Sequence, residues 1–175
     1  MRVSSTVALT LLVGSLVAGC GDDAPTTPTP TPSTAPRFTG QLTPSNEVPP
    51  VTNADASGSG TVTVTLAVTR DAAQNITAAT ADFQVSLTGF PANTSLTGAH
   101  IHAGRAGANA GVIVNLAIAA GDITLPSGTA TFSRNTINVA ADVAQNMLND
   151  PAGFYFNVHT TLNPGGAVRS QLVRQ

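Results

Sequence analysis

The chain has 175 residues, of which 42% are hydrophobic and only 9% are charged, and its formal net charge at pH 7 is −2. The seven basic residues are all arginines, so Schiff-base and general-base chemistry by lysine are excluded. They form no basic cluster, which argues against a nucleic-acid partner. The length suits one domain after removal of a targeting segment.

The first twenty residues have the pattern of a secretory signal. Arg2 gives a positive start, and residues 3–17 are mostly apolar. This run is shorter than the about 20 apolar residues that a membrane-spanning helix needs, and it fits the apolar region of a signal peptide. It ends in LVAGC, which resembles the bacterial lipoprotein signal. The resemblance implies that residues 1–19 are cleaved and that Cys20 is lipidated; the alternative is an ordinary signal peptide with an incidental cysteine.

Residues 20–36 then form a tether rich in proline and threonine. Such composition favours an extended chain without a packed core. A lipid anchor at Cys20 would attach the protein to a membrane in the cell envelope, on the extracytoplasmic side. In enterobacterial lipoproteins an aspartate after the cysteine retains the protein in the inner membrane. Gly21 stands there instead, which favours the outer membrane.

Residues 37–175 are predicted to form a β domain. Valine and leucine alternate with threonine over residues 61–69, which is the period of a half-buried strand. Proline and glycine near residues 163–166 predict a turn in which at least one glycine has a positive φ. The predicted strands cover residues 38–42, 61–69, 76–87, 112–118, 123–125, 129–132, 154–160 and 167–173, and a short helix covers 139–149. We therefore expect an all-β fold, an antiparallel β-sandwich or Greek-key barrel of about eight or nine strands with one short helix.

The three histidines of the chain lie in two unusual segments. His100 and His102 belong to the segment TGAHIHAGRAGANAG, and His159 belongs to FYFNVHTTLNPGGAVRSQL. On a strand, residues two apart share a face. His100 and His102 would then lie opposite Ile101, and His159 would lie opposite the apolar face of its own strand. If the two strands are neighbours, the three imidazoles converge on the outer side of the sheet.

Three histidines on β-strands are a recurring ligand set for zinc, and imidazole sites also suit copper. The alternative is that these side chains only bond to carbonyls of the neighbouring glycine-rich loop. Other reactive groups are sparse: the sequence shows no carboxylate pair for glycoside hydrolysis and no serine nucleophile elbow. We assign no catalytic residue.

Three motifs together resemble the chordin-type (CHRD) domain. They are EVPPV from Glu47, AHIHAGRAG from Ala99 and NVHTTLNPGGAVRSQL from Asn157, and the likeness spans residues 37–172. The resemblance implies a sandwich-like β domain, with no agreed enzymatic activity. It favours a non-catalytic binding or structural role with an unidentified protein or small-molecule ligand.

A second, fainter likeness is to copper/zinc superoxide dismutase. On that pattern His100, His102 and His159 match three copper ligands, and Arg169 matches the arginine that guides the anion. The zinc-site residues, the bridging histidine and the disulfide pair of that family have no counterparts here. The likeness therefore implies at most a copper-only site serving metal handling or superoxide chemistry.

Overall fold

The computed structural model describes residues 35–175. The predicted signal segment, the lipidation site Cys20 and the tether as far as residue 34 lie outside the described residues. In the part that is described, no helix has both the length and the apolar character needed to cross a membrane.

Ten strands and one α-helix make up the described domain. The strands are β1 (Arg37–Leu42), β2 (Ser59–Arg70), β3 (Ile76–Thr88), β4 (Thr94–His102), β5 (Val112–Asn115), β6 (Thr124–Leu125), β7 (Ala130–Val139), β8 (Tyr155–Thr160), β9 (Val168–Gln171) and β10 (Val173–Arg174). The helix α1 spans Ala141–Asn149, and three short 3-10 turns span Pro44–Asn46, Ala54–Ser57 and Pro151–Gly153.

These strands form two antiparallel sheets. One has the order β10-β1-β2-β3-β7, and the other has the order β5-β4-β8-β9, with β6 also paired to β4. Apolar residues from both sheets share one core, in which Phe83 of β3 stacks on Phe156 of β8 with ring centroids 6.1 Å apart. The predicted all-β sandwich is therefore confirmed, and the sheets do not close into a barrel.

The strands agree with the alternation seen in the sequence. In β2, Val62, Val64 and Leu66 are buried, while the threonines between them are partly or fully exposed. Strands β2 and β3 form a hairpin and pair in antiparallel register from Ser59 opposite Thr88. A strand with one face in the core and one face toward solvent shows this period of two.

The helix and the strand before it differ from prediction. The helix begins at Ala141, because Val139 is the last residue of β7 and pairs with Ala79 of β3. Strand β7 is also longer than the predicted 129–132. It continues through a polar stretch that includes Thr136, whose φ is 57° and whose amide donates to Asp82 Oδ1 at 2.8 Å. Such an irregular, polar edge strand lacks the alternation that identifies a strand from sequence.

The last predicted strand, 167–173, is two strands. Residues of β9 pair with β8 in one sheet, whereas Val173 of β10 pairs with Thr39 of β1 in the other sheet. Leu172 separates them, is 1% exposed and donates its amide to Phe154 O. The chain thus passes from one sheet to the other at Leu172, which explains why ten strands are found.

Candidate metal centre

The two histidine segments are neighbours in the second sheet. Strand β4 pairs with β8, with Gly98 opposite His159, His100 opposite Asn157 and His102 opposite Tyr155. Paired residues in an antiparallel sheet share a face. The three histidines therefore lie on one face, and Ile101 and Val158 lie in the core on the other face, as the strand period predicted.

This face is not an open surface, which differs from expectation. His102 is 6% exposed and His159 is 9% exposed, while His100 is partly buried. The glycine-rich loop after β4 covers the face, since Ala110 O contacts His102. Loop contacts of this kind cannot be read from the strand period, which fixes only the side from which a side chain leaves its sheet.

The three imidazoles converge. His100, His102 and His159 each offer one ring nitrogen, and these three atoms all lie within 4.8 Å of one another. Nδ1 of His100 is 3.0 Å from Nε2 of His159. The three histidines could therefore hold a metal ion after small side-chain movements, because nitrogen ligands bound to one ion at about 2.0–2.1 Å lie at most about 4.2 Å apart.

Backbone carbonyls orient two of the rings. Nδ1 of His102 lies 2.8 Å from Ala110 O, and Nδ1 of His159 lies 2.9 Å from Pro164 O. A carbonyl accepts only, so both rings carry their proton on Nδ1 and present a lone pair at Nε2. Histidine ligands of metals commonly donate their second nitrogen in this way, and the contact fixes the tautomer and the ring orientation.

The surroundings of the rings favour their neutral forms. Burial, together with the neighbouring His159 and His102, lowers the pKa of His100 to about 4. Burial also lowers the pKa of His159, although the bond to Pro164 O opposes the shift and His102 adds to it. Metal binding needs the neutral ring, so both shifts favour binding over protonation.

A layered stack supports His102. Its ring lies parallel to Tyr155, with an interplanar angle of 4° and centroids 4.6 Å apart. On the other side of Tyr155, the guanidinium carbon of Arg169 lies 3.4 Å from the ring centroid. Aromatic stacking and cation–π attraction both hold planar groups in such geometry. The stack therefore fixes the position of the His102 ring.

Arg169 also anchors the covering loop. Its guanidinium donates to Ala108 O at 2.7 Å, to Arg105 O at 3.1 Å and to Asn109 Oδ1 at 3.3 Å. The side chain is 1% exposed. An arginine that guides anions must present its guanidinium to solvent, whereas the guanidinium of Arg169 is buried beneath the loop. We therefore assign Arg169 to the support of the loop and of Tyr155.

Three residues near the histidines were given no role from the sequence. Asn157 is 2% exposed, and its Oδ1 lies 3.0 Å from His102 Nε2 and 3.1 Å from His159 Nε2. Gly98 faces His159 across the strands, and a β-carbon there would lie 2.9 Å from Cε1 of His100. Gly98 and Asn157 are each two residues from a histidine on the same strand, so the strand period alone would have placed them on the same face.

The third such residue is Glu47, the only glutamate of the chain. It is 5% exposed, and its Oε1 has no hydrogen-bond partner among the described residues. Burial raises the pKa of Glu47 to about 7, while the charge of Arg169 and the side chain of Asn157 oppose the rise. The carboxylate is therefore buried near two side chains that border the histidines. The sequence signal was its place in the EVPPV motif.

The comparisons with known proteins agree with this architecture. The family model described as CHRD domain matches residues 38–172. No curated protein and no solved structure gave a significant match. With the family model covering most of its length, this chain belongs to the CHRD domain family.

Proposed function

We propose that this CHRD domain is a non-catalytic binding module whose ligand at the histidine site is copper(II). The observation that carries the proposal is the convergence of three imidazoles, two of them oriented by backbone carbonyls. Imidazole suits both zinc and copper, and copper(II) binds most tightly of the divalent series at such sites. A module of this kind would take up or hold the ion.

Copper titration of the full chain in detergent, monitored by calorimetry, tests the proposal. We expect one Cu(II) per chain in the wild type and loss of that binding when His100, His102 and His159 are all replaced by alanine. The control is Asp71→Ala in the exposed turn after β2, which should bind copper normally. Equal copper affinity in the wild type and the triple variant would refute the proposal.

Superoxide dismutation is the alternative reaction for a copper site. Three histidines on β-strands favour this reaction. However, the positive charge that would attract the anion belongs to Arg169, which is only 1% exposed. We therefore propose metal holding without turnover. A dismutase assay that compares the copper-loaded protein with an equal concentration of free copper decides between the two. Dismutase activity that depends on all three histidines would show that the site is catalytic.

We also propose that the domain is displayed on the extracytoplasmic side of the cell envelope through a lipid at Cys20, preferably on the outer membrane. The support is the LVAGC sequence followed by a tether rich in proline. Cys20→Ser should leave the precursor unprocessed or release it from the membrane fraction. Unchanged acyl labelling and detergent partitioning of that variant would refute the anchor.

A further inference from the structure

Asn157 occupies the fourth corner of the histidine cluster. Starting from Nδ1 of His100, the next atom is Nε2 of His159 at 3.0 Å, followed by Asn157 Oδ1 at 3.1 Å and then Nε2 of His102 at 3.0 Å. Four donor atoms are thus linked by three consecutive edges of nearly equal length, and the histidine nitrogens of the cluster lie within 4.8 Å of one another.

Hydrogen bonding does not explain the contacts of this oxygen with the two rings. His102 and His159 each give their ring proton to a backbone carbonyl, so their Nε2 atoms have only lone pairs to offer. The amide oxygen also has only lone pairs. Acceptors held 3.0–3.1 Å apart repel one another unless a positive charge lies between them.

Rotation of the amide would place its nitrogen toward the histidines, where its two hydrogens can bond to the Nε2 lone pairs of His102 and His159. The hydrogen-bond network favours this orientation in the metal-free protein. A cation held by the same Nε2 atoms reverses the preference, because it repels the amide hydrogens and attracts the amide oxygen. Asn157 is thus placed to turn its Oδ1 toward a bound ion.

We propose that Asn157 Oδ1 is the fourth ligand of the metal and makes the site selective for copper(II) over copper(I). This inference rests on the proposed copper function. With bonds of about 2.0–2.1 Å, ligands at right angles lie about 2.9 Å apart and tetrahedral ligands about 3.3 Å apart. Two of the three observed edges, at 3.0 Å, are closer to the right-angle value, and the third, at 3.1 Å, lies midway between the two values. Tetragonal sites of nitrogen and oxygen are typical of Cu(II) or Ni(II).

The donor set points the same way. An amide oxygen is a hard ligand, whereas Cu(I) is selected by soft sulfur ligands. The single cysteine, Cys20, lies before the tether and outside the described residues.

Pulsed electron paramagnetic resonance of the full chain loaded with Cu(II) tests the fourth ligand. In protein grown with asparagine labelled with ¹³C at the side-chain carbonyl, we expect a strong ¹³C coupling to copper alongside couplings from three imidazole nitrogens. Asn157→Leu, which has similar volume and no donor, should abolish the ¹³C coupling and lower Cu(II) affinity at least about 10-fold. Its Cu(I) affinity, measured by competition with a Cu(I) chelator, should stay within about 2-fold of wild type.

The possible outcomes separate this inference from the copper function. A wild type that binds no Cu(II) would refute both. Copper binding that requires the three histidines but shows no ¹³C coupling would overturn the fourth ligand alone, even if Asn157→Leu failed to fold. An equal loss of Cu(I) and Cu(II) affinity in a folded Asn157→Leu variant would overturn the selectivity.

Discussion

The carboxylate of Glu47 lies directly against the α-carbon of Gly166. A β-carbon built on Gly166 would come within 2.6 Å of both carboxylate oxygens. Gly166 has a φ of 134°, a backbone conformation that side chains of other residues rarely adopt. The turn after β8 thus closes over Glu47, and the same turn orients His159 through Pro164 O.

This contact predicts unequal effects at two adjacent glycines. Gly166→Ala should lower the free energy of unfolding by about 1–3 kcal/mol from backbone strain alone, and displacement of Glu47 should add to the loss. The matched control is Gly165→Ala, because Gly165 lacks a positive φ and its added β-carbon would meet nothing within 4 Å. Urea unfolding of both variants measures the difference, and equal stabilities would contradict the closure over Glu47.

Glu47 should make the metal-free protein less stable as pH rises. Its pKa is about 7 in the folded protein and near the ordinary 4.5 in the unfolded chain. Between these pH values the folded state binds more protons, so stability falls with pH. Glu47→Gln cannot ionise, and its stability relative to wild type should increase from pH 4.5 to 7. Urea unfolding in the presence of a chelator tests this, and a constant difference over that range would be inconsistent with the raised pKa.

His100 should have the opposite effect on the pH dependence of stability. Burial and its histidine neighbours hold its pKa at about 4 in the folded protein, against 6.5 ordinarily. The unfolded chain then binds more protons between these values, so the contribution of His100 to stability is lost as pH falls from 6.5 toward 4. We expect the free energy of unfolding to fall less steeply with decreasing pH in His100→Gln than in the wild type. Identical slopes in chelator-treated samples would contradict a lowered pKa.

Much of this arrangement follows from the sequence, and its limits are physical. Alternation placed Ile101 and Val158 in the core, and the same parity gathered the histidines on one face. Contacts across long chain separations were not predictable. The sequence does not indicate why Glu47 and Arg169 should be buried, because a loop built of small residues has no periodic pattern that fixes its path.

The passage of the chain from one sheet to the other at Leu172 was likewise not predictable from the sequence. Residues 167–173 have the composition of one continuous strand, and only the position of β1 in the other sheet divides it. The start of α1 was misplaced for a related reason. Val139 fits both a helix and a strand by composition, and pairing with Ala79 decides in favour of the strand.

Arg169 should matter for its planar shape as well as its charge. Arg169→Lys keeps the positive charge, but a lysine cannot stack its head on Tyr155 and reach the loop carbonyls in the same fork. We expect the free energy of unfolding to fall by about 2 kcal/mol or more, since hydrogen bonds and a buried cation–π contact are lost together. Arg70→Lys, at an exposed position, is the control. Retention of wild-type stability in Arg169→Lys would show that the stack contributes little.

Gly98 should control the position of His100 without greatly changing stability. A β-carbon at Gly98 would lie 2.9 Å from Cε1 and 3.3 Å from Nε2 of His100, so the ring must move away. That ring is at the end of a flexible side chain and partly exposed, so its movement costs little folding energy but withdraws one ligand nitrogen. We expect Gly98→Ala to lower Cu(II) affinity at least about 10-fold while the unfolding free energy changes by less than about 1 kcal/mol. Gly111→Ala, where an added β-carbon meets nothing within 4 Å, should bind copper as wild type does. Undiminished copper affinity in Gly98→Ala would mean that His100 does not need its present position to bind the ion.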